Sequence, residues 1–167
     1  MSGRDSTRRV DYQLNEREKW VLRLLYTPDN NGVSKPMFGR TRMMKALFLL
    51  HRKLEESFNS SAGFDFRAYK YGPFDSDVYA ALERLELISL MEIIPAEEHV
   101  SSRDEPKYSL TPEGREIGEM LYENISCDKQ SLLKWVKYKQ ASRDLGSLLN
   151  FVYTQYPNMT DESEISP

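Results

Sequence analysis

The chain has 167 residues, of which 23 are lysine or arginine and 26 are aspartate or glutamate, so its formal net charge is -3. This length predicts one domain, which at this size buries a core without needing a disulfide or a metal. The charge balance excludes a protein that is basic over its whole surface, and the single cysteine, Cys127, excludes an intramolecular disulfide and a cysteine-cluster zinc site.

No apolar run approaches the ~20 residues of a membrane-spanning helix, and the polar N-terminus lacks the apolar stretch of a secretory signal. We therefore expect a cytoplasmic protein that makes no membrane contact. Residues 1–12, which contain several arginines, are predicted to form a flexible basic arm. Residues 13–157 are predicted to form a single domain, and residues 158–167 an acidic tail.

Two helices are predicted in the first third of the chain. Asn15 begins the first, with Glu18 completing a capping box, and the turn-forming residues at 27–32 end it. The second runs from about Arg40 to Phe58, and on a helical wheel its apolar residues fall within one arc of ~160°. The opposite side, which we expect to be a basic outer stripe, carries Arg42, Lys45, Arg52 and Lys53 with Leu49 and Glu56 among them.

The middle of the chain alternates between short extended segments and a helix. Residues 64–71 are rich in aromatic side chains and predict a strand that Gly72-Pro73 ends. A third helix follows at 76–88. Two further strands, around 90–95 and 107–110, are joined by a polar loop.

Three more helices are predicted after these strands. Thr111-Pro112-Glu113 combines a capping threonine with a proline and a carboxylate in the first turn, which begins a helix. Asp128 is expected to cap the fifth helix. The sixth has the cleanest helical periodicity in the chain, with Leu148 and Val152 on its apolar face, and Pro157 ends it.

Helices followed by a strand, a polar loop, a strand and another helix are typical of a winged helix. We therefore predict a mainly α (α+β) fold: a winged helix-turn-helix-like core, a small β-hairpin wing and additional C-terminal helices. The strands around 90–95 and 107–110 would form the wing. The helix at 76–88 would occupy the position of the recognition helix.

Three runs of the sequence resemble known families: GRTRMMKALFLL at 39–50, FRAYKYGPF at 66–74 and FVYTQYP at 151–157. Together they resemble the YwgA-like prokaryotic winged-helix proteins, and the first two also resemble the Panacea domain, a SocA-like antitoxin or phage-associated domain. The resemblance implies a winged-helix fold and a regulatory, antitoxin or adaptor role. It implies protein partners such as a toxin as well as DNA, and no catalytic mechanism.

Two features depart from an ordinary helix-turn-helix. The segment between the second and third helices, from Phe58 to Asp75, is longer than the usual 3–4 residues. The third helix is acidic, with Arg84 as its only basic residue. A helix with this charge is poorly suited to a groove walled by phosphates.

A stretch without acidic residues, from Asn30 to Leu54, suggests a nucleic-acid interface. Its six basic residues would bind DNA or RNA weakly and in a salt-dependent way through the phosphate backbone. The alternative is a solvated helix face. The predicted nucleic-acid-binding residues are Lys35, Arg40, Arg42, Lys45, Arg52 and Lys53.

A second set of residues suggests a protein-interaction surface, which is the alternative function. An aromatic loop followed by carboxylates on the third helix would suit a basic partner, and the alternative is a packing turn. A small-molecule sensor that uses the aromatic segment is a third hypothesis. The predicted partner-binding residues are Tyr69, Lys70, Tyr71, Gly72, Pro73, Phe74, Tyr79, Glu83 and Glu86.

Enzymatic residues are scarce, and we predict no catalytic residue, no metal and no cofactor. His51 lies in the apolar arc of the second helix and is expected to be a buried, hydrogen-bonded histidine. His99 has no companion at metal-ligand spacing, and Cys127 has no histidine near it in the sequence. The leading hypothesis is therefore a non-enzymatic, nucleic-acid-associated regulatory protein that is able to form a homodimer.

Overall fold

The computed structural model describes residues 13–70, 72–99 and 105–159. Within these ranges the chain is mainly helical and carries a small antiparallel sheet, which confirms the predicted α+β class. The helices are α1 (Glu16–Tyr26), α2 (Arg40–Phe58), α3 (Ser76–Leu87), α4 (Pro112–Glu123), α5 (Cys127–Lys134) and α6 (Leu145–Gln155). The strands are β1 (Met37–Phe38), β2 (Arg67–Tyr69), β3 (Gly72–Phe74), β4 (Met91–Ile94) and β5 (Lys107–Leu110). The predicted basic arm and most of the predicted acidic tail lie outside the described residues.

The strands form two antiparallel units. β4 and β5 pair as a hairpin, with Met91 opposite Leu110, and β1 adds to the free edge of β5, with Met37 opposite Tyr108. The order of this sheet is β1-β5-β4. β2 and β3 form a separate hairpin, with Ala68 opposite Pro73.

Local signals place the starts of α1 and α4 where the sequence predicts them. Asn15 caps α1 and forms the predicted capping box with Glu18, each accepting a hydrogen bond from the backbone N–H of the other. Thr111 caps α4 by accepting from the backbone N–H of Gly114, with Pro112 at the first helical position. Both predicted caps are confirmed.

Helix α2 is the central element of the core. Residues 42–51 are all buried, because β1, β3, α5 and α6 contact the helix from different sides. A helix that is buried all round cannot have a solvated polar face. The predicted basic outer stripe is therefore wrong for the first half of α2.

Three boundaries differ from the sequence-based expectations. Gly72-Pro73 does not end the extended segment but begins β3, which turns back to pair with β2. Ser126, rather than Asp128, caps α5 by accepting from the backbone N–H of Lys129. The helix that follows then changes to a π-helix at Trp135–Gln140, which no periodicity in the sequence indicated.

Candidate functional site

Two of the six predicted nucleic-acid-binding residues are buried. Arg42 is 7% exposed and Lys45 is 4% exposed. Leu49, which shares their side of the helical wheel, is fully buried as well. The predicted exposure of Arg42 and Lys45 is thus wrong, because β3, α6 and the segment after the π-helix cover this side of α2.

The Arg42 guanidinium stabilises the end of the π-helix. Its Nη1 donates to the backbone carbonyl oxygens of Ala141, at 3.2 Å, and Arg143. Its Nη2 lies 3.6 Å from a carboxylate oxygen of Glu105. Carbonyl groups at the end of a helix lack intrahelical partners, so a buried arginine here serves the fold.

The other four basic residues do not gather into one surface. Lys35 is exposed and pairs with Asp29 at 3.3 Å, while Arg40 lies 4.8 Å from the centre of the Tyr79 ring. Arg52 and Lys53 are half-buried, and they lie more than two helical turns further along α2 than Arg40. At a rise of ~1.5 Å per residue, Arg40 and Lys53 are about 20 Å apart along the helix axis.

Three aromatic rings, two from the β2–β3 hairpin and one from α3, lie in a row. The ring centres of Tyr69 and Phe74 are 5.2 Å apart, and those of Phe74 and Tyr79 are 5.8 Å apart. Tyr69 is exposed, whereas Gly72 and Pro73 are buried. Lys70 is exposed at the turn, and Tyr71 lies outside the described residues.

A groove of about 300 Å³ runs between α3 and the β4–β5 hairpin. Apolar side chains form its floor, and two exposed carboxylates from α3, those of Glu83 and Glu86, lie at its rim. We call it the acidic groove. It is lined by Arg40, Tyr79, Leu82, Glu83, Glu86, Ile93, Pro95, Pro106 and Tyr108.

The basic residue of α3 does not offset these carboxylates. Arg84 pairs with the buried carboxylate of Glu18 on α1. The solvent-facing side of α3 therefore presents Asp77, Glu83 and Glu86. Glu86 also accepts a hydrogen bond from the backbone N–H of Ile93 at 3.2 Å, which fixes it beside the hairpin.

A second cavity, of about 390 Å³, lies between α2, the β2–β3 hairpin, the start of α3 and α6. Lys45 is the charged residue of its lining. The Lys45 ammonium donates to the carbonyl oxygen of Pro73 at 3.1 Å, and burial lowers the pKa of this lysine to about 8. We call this cavity the Lys45 pocket. Lys45 was predicted to lie on an exposed face, so nothing in the sequence indicated the cavity.

The π-helix holds another buried lysine, which is not among the predicted site residues. The Lys137 ammonium donates to the carbonyl oxygens of Leu25, at 2.9 Å, and Thr27, at 3.0 Å. The Tyr138 hydroxyl donates to the same Thr27 oxygen at 2.6 Å. Burial lowers the pKa of Lys137 to about 7. These donors satisfy the last carbonyls of α1, which is a structural role.

Replacing Lys45 by methionine should stabilise the protein at neutral pH by about 1–2 kcal/mol. A pKa of about 8, against 10.5 for an ordinary lysine, costs the folded state about 3 kcal/mol when both states are protonated. Loss of the hydrogen bond to Pro73 offsets about 1 kcal/mol of that gain. The measurement is the free energy of unfolding in urea at pH 7.

The same substitution should change the pH dependence of stability. Between pH 8 and 10.5 the unfolded chain holds the proton of Lys45 and the folded chain releases it, so stability rises with pH. Lys45→Met should flatten this rise, leaving the part due to Lys137, whereas Lys53→Met on the same helix should keep the wild-type slope. An identical slope in wild type and Lys45→Met would contradict a buried Lys45 that loses its proton in the folded chain before it does so in the unfolded chain.

His51 is buried and hydrogen-bonded, as predicted. Its Nδ1 accepts from the backbone N–H of Ala62 at 3.2 Å, and its Nε2 lies 3.2 Å from a Glu55 carboxylate oxygen. Burial lowers the pKa of this histidine. Among residues 13–70, 72–99 and 105–159, no group of three or more metal-ligating side chains comes together.

None of the helices in the described part of the chain combines the length and apolar character needed to cross a membrane. In comparisons with known proteins, no protein-family model, no curated protein and no solved structure matches the chain. The resemblance of the runs at 39–50, 66–74 and 151–157 to the YwgA-like proteins and the Panacea domain stays a prediction from those residues.

Proposed function

We propose that the protein is a non-enzymatic interaction module of antitoxin or adaptor type, which binds a basic segment of a protein partner in the acidic groove. The observation that carries the proposal is the charge of this surface. Glu83 and Glu86 stand exposed at the rim of an apolar groove, and the neighbouring arginine of α3 is paired elsewhere. A cationic side chain from a partner would meet carboxylates at the rim, while its apolar neighbours fill the floor.

The surroundings of the groove favour the same occupant. Exposed carboxylates follow β4 at Glu97 and Glu98, just after Pro95 of the groove lining. Arg40 is the cation in the groove lining, and it lies over the face of Tyr79. The rim is therefore acidic overall, which favours association with a positively charged segment and disfavours nucleic-acid phosphate.

The fold we propose for this module is a winged helix. In support, β1 lies between α1 and α2 and joins the β4–β5 hairpin that follows α3, so the first strand completes a three-stranded sheet with the wing. In this proposal α3 occupies the recognition-helix position, but its exposed charges are acidic. An acidic helix in that position suits a protein partner better than a DNA groove.

Nucleic-acid binding is the weaker hypothesis for this chain. Arg42 and Lys45 lie in the core, and the exposed or half-buried remainder, Lys35, Arg40, Arg52 and Lys53, is spread over separate places. Counterion release from DNA requires several cations that reach phosphates together. The exposed and half-buried residues of the predicted set do not form such a group.

Selection from a displayed library of random peptides, with the wild-type chain as bait, tests the proposal. We expect the enriched peptides to combine lysine or arginine with apolar residues. Their affinity should fall about tenfold for the double variant Glu83→Gln/Glu86→Gln, since two rim charge pairs at up to about 1 kcal/mol each add up to about 1–2 kcal/mol. Fluorescence anisotropy of the labelled peptides measures the dissociation constants.

The matched control is Glu116→Gln/Glu119→Gln on α4, which removes two exposed carboxylates at the same spacing and should leave peptide affinity unchanged. Equal weakening by both double variants would mean that the peptides follow net charge rather than the groove. Salt-dependent binding of a DNA duplex that is lost on charge reversal of Lys35, Arg40, Arg52 and Lys53 would favour the nucleic-acid hypothesis instead.

A further inference from the structure

The Lys45 pocket combines a buried cation with apolar walls. Three aromatic side chains, those of Tyr69, Phe74 and Tyr79, form one wall, and Leu145 and Leu149 from α6 form another. The described residues of the lining include no carboxylate. A pocket of this composition suits a ligand with an apolar body and one negative group.

The Lys45 ammonium has more hydrogen-bonding capacity than the protein uses. A protonated lysine carries three N–H donors, and among the described residues Nζ has one acceptor, the Pro73 carbonyl oxygen at 3.1 Å. Lys45 is 4% exposed, so water has little access to the remaining donors. A buried cation without a counter-ion is costly, and an incoming carboxylate would supply both the charge and the missing acceptors.

Gly72 lets the backbone of β3 pass close to the ammonium. A Cβ atom at this position would lie 3.6 Å from the Lys45 Nζ and 3.0 Å from the Tyr153 ring. The backbone there has φ of +101°, a conformation that L residues rarely adopt. A side chain at this position would crowd both Tyr153 and the end of Lys45. Thr41 adds a hydroxyl to the lining of the pocket.

We propose that the Lys45 pocket binds a small aromatic carboxylic acid, with the carboxylate paired to the Lys45 ammonium and the ring among Tyr69, Phe74 and Tyr79. The exposed Tyr69 lies at the open side of the cavity, where a ligand enters. Tyr79 lines both this pocket and the acidic groove. Binding of the acid does not require a partner in the groove, so the two proposals succeed or fail separately.

Calorimetric titration of the full chain at neutral pH with phenylacetate and with phenylacetamide tests this assignment. The two probes have nearly the same size and differ in charge. We expect phenylacetate to bind at least about tenfold more tightly than the amide, because a charge-assisted pair with Lys45 forms only with the acid. Equal affinities, or no binding of either probe at millimolar concentration, would overturn the proposal.

Variants of the pocket locate the binding. Lys45→Met should reduce phenylacetate affinity about tenfold, to that of the amide, whereas Lys53→Met removes the same charge from the same helix and should change neither affinity. Leu149→Trp keeps Lys45 but fills the cavity from α6, so it should abolish binding of both probes. A preference for the acid that survives Lys45→Met would place the binding site elsewhere and contradict the proposal.

Discussion

Gly114→Ala should lower the free energy of unfolding by about 3 kcal/mol or more, one of the largest effects of any single methyl group in this protein. A Cβ atom at Gly114 would lie 1.8 Å from the carbonyl oxygen of Leu90 and 2.8 Å from its carbonyl carbon. Hydrogen bonds hold the backbone in place on both sides of this contact. Thr111 donates from its hydroxyl to Ser89 and from its backbone N–H to Leu90, and β4 pairs with β5 immediately afterwards.

The matched control is Gly146→Ala in α6. The nearest atom to a Cβ there is an Asp144 carboxylate oxygen at 3.5 Å, which is an ordinary contact. This change should stabilise the protein by about 0.5–1 kcal/mol, because alanine loses less backbone freedom than glycine in a helix. Urea unfolding of both variants gives the comparison, and a loss below about 1 kcal/mol for Gly114→Ala would mean that α4 shifts freely away from Leu90.

The starts of α1 and α4 could be predicted because their signals are local. Asn15 and Glu18 form a capping box three residues apart, and Thr111 with Pro112 fixes the first turn of α4. Each of these signals depends on groups within one helical turn. No distant part of the chain has to be known to recognise them.

The environment of α2 could not be predicted in the same way. A helical wheel sorts side chains into two sides but does not say whether the polar side meets water. The polar side of α2 is covered by β3, α6 and the residues after the π-helix, which are distant in sequence. The wheel did offer one signal that this side is covered, which was the apolar Leu49 among the basic residues. Leu49 is fully buried.

The buried lysines show why the candidate site was only partly predicted. Lys45 and Lys137 satisfy backbone carbonyls from segments that lie far away in the chain, those of Pro73 and of Leu25 and Thr27. The residues next to such a lysine in the sequence do not distinguish it from a lysine that points into water. The common position of Tyr79, Glu83 and Glu86 was easier to predict, because residues three and four apart share one side of a helix.

Leu148→Ala should cost about 2–5 kcal/mol of the free energy of unfolding, the loss typical of a fully buried leucine truncated to alanine. Leu148 and Val152 are fully buried, as the periodicity of the sixth helix predicted, and α6 contacts α2 and β3. The leucine side chain therefore joins the C-terminal helix to the core. Its removal leaves a cavity that the surrounding helices fill only partly.

Asn150→Ala provides the control for Leu148→Ala, since Asn150 is exposed on the same helix and its replacement should change stability by no more than about 0.5 kcal/mol. Urea unfolding followed by circular dichroism measures both. A cost below about 1 kcal/mol for Leu148→Ala would mean that α6 adds little to the core. In that case the wall that Leu145 and Leu149 give to the Lys45 pocket would be mobile, and phenylacetate should bind Leu148→Ala as tightly as the wild type. A cost of 2 kcal/mol or more, together with weaker phenylacetate binding, would show that docking of α6 on α2 both stabilises the fold and shapes the pocket.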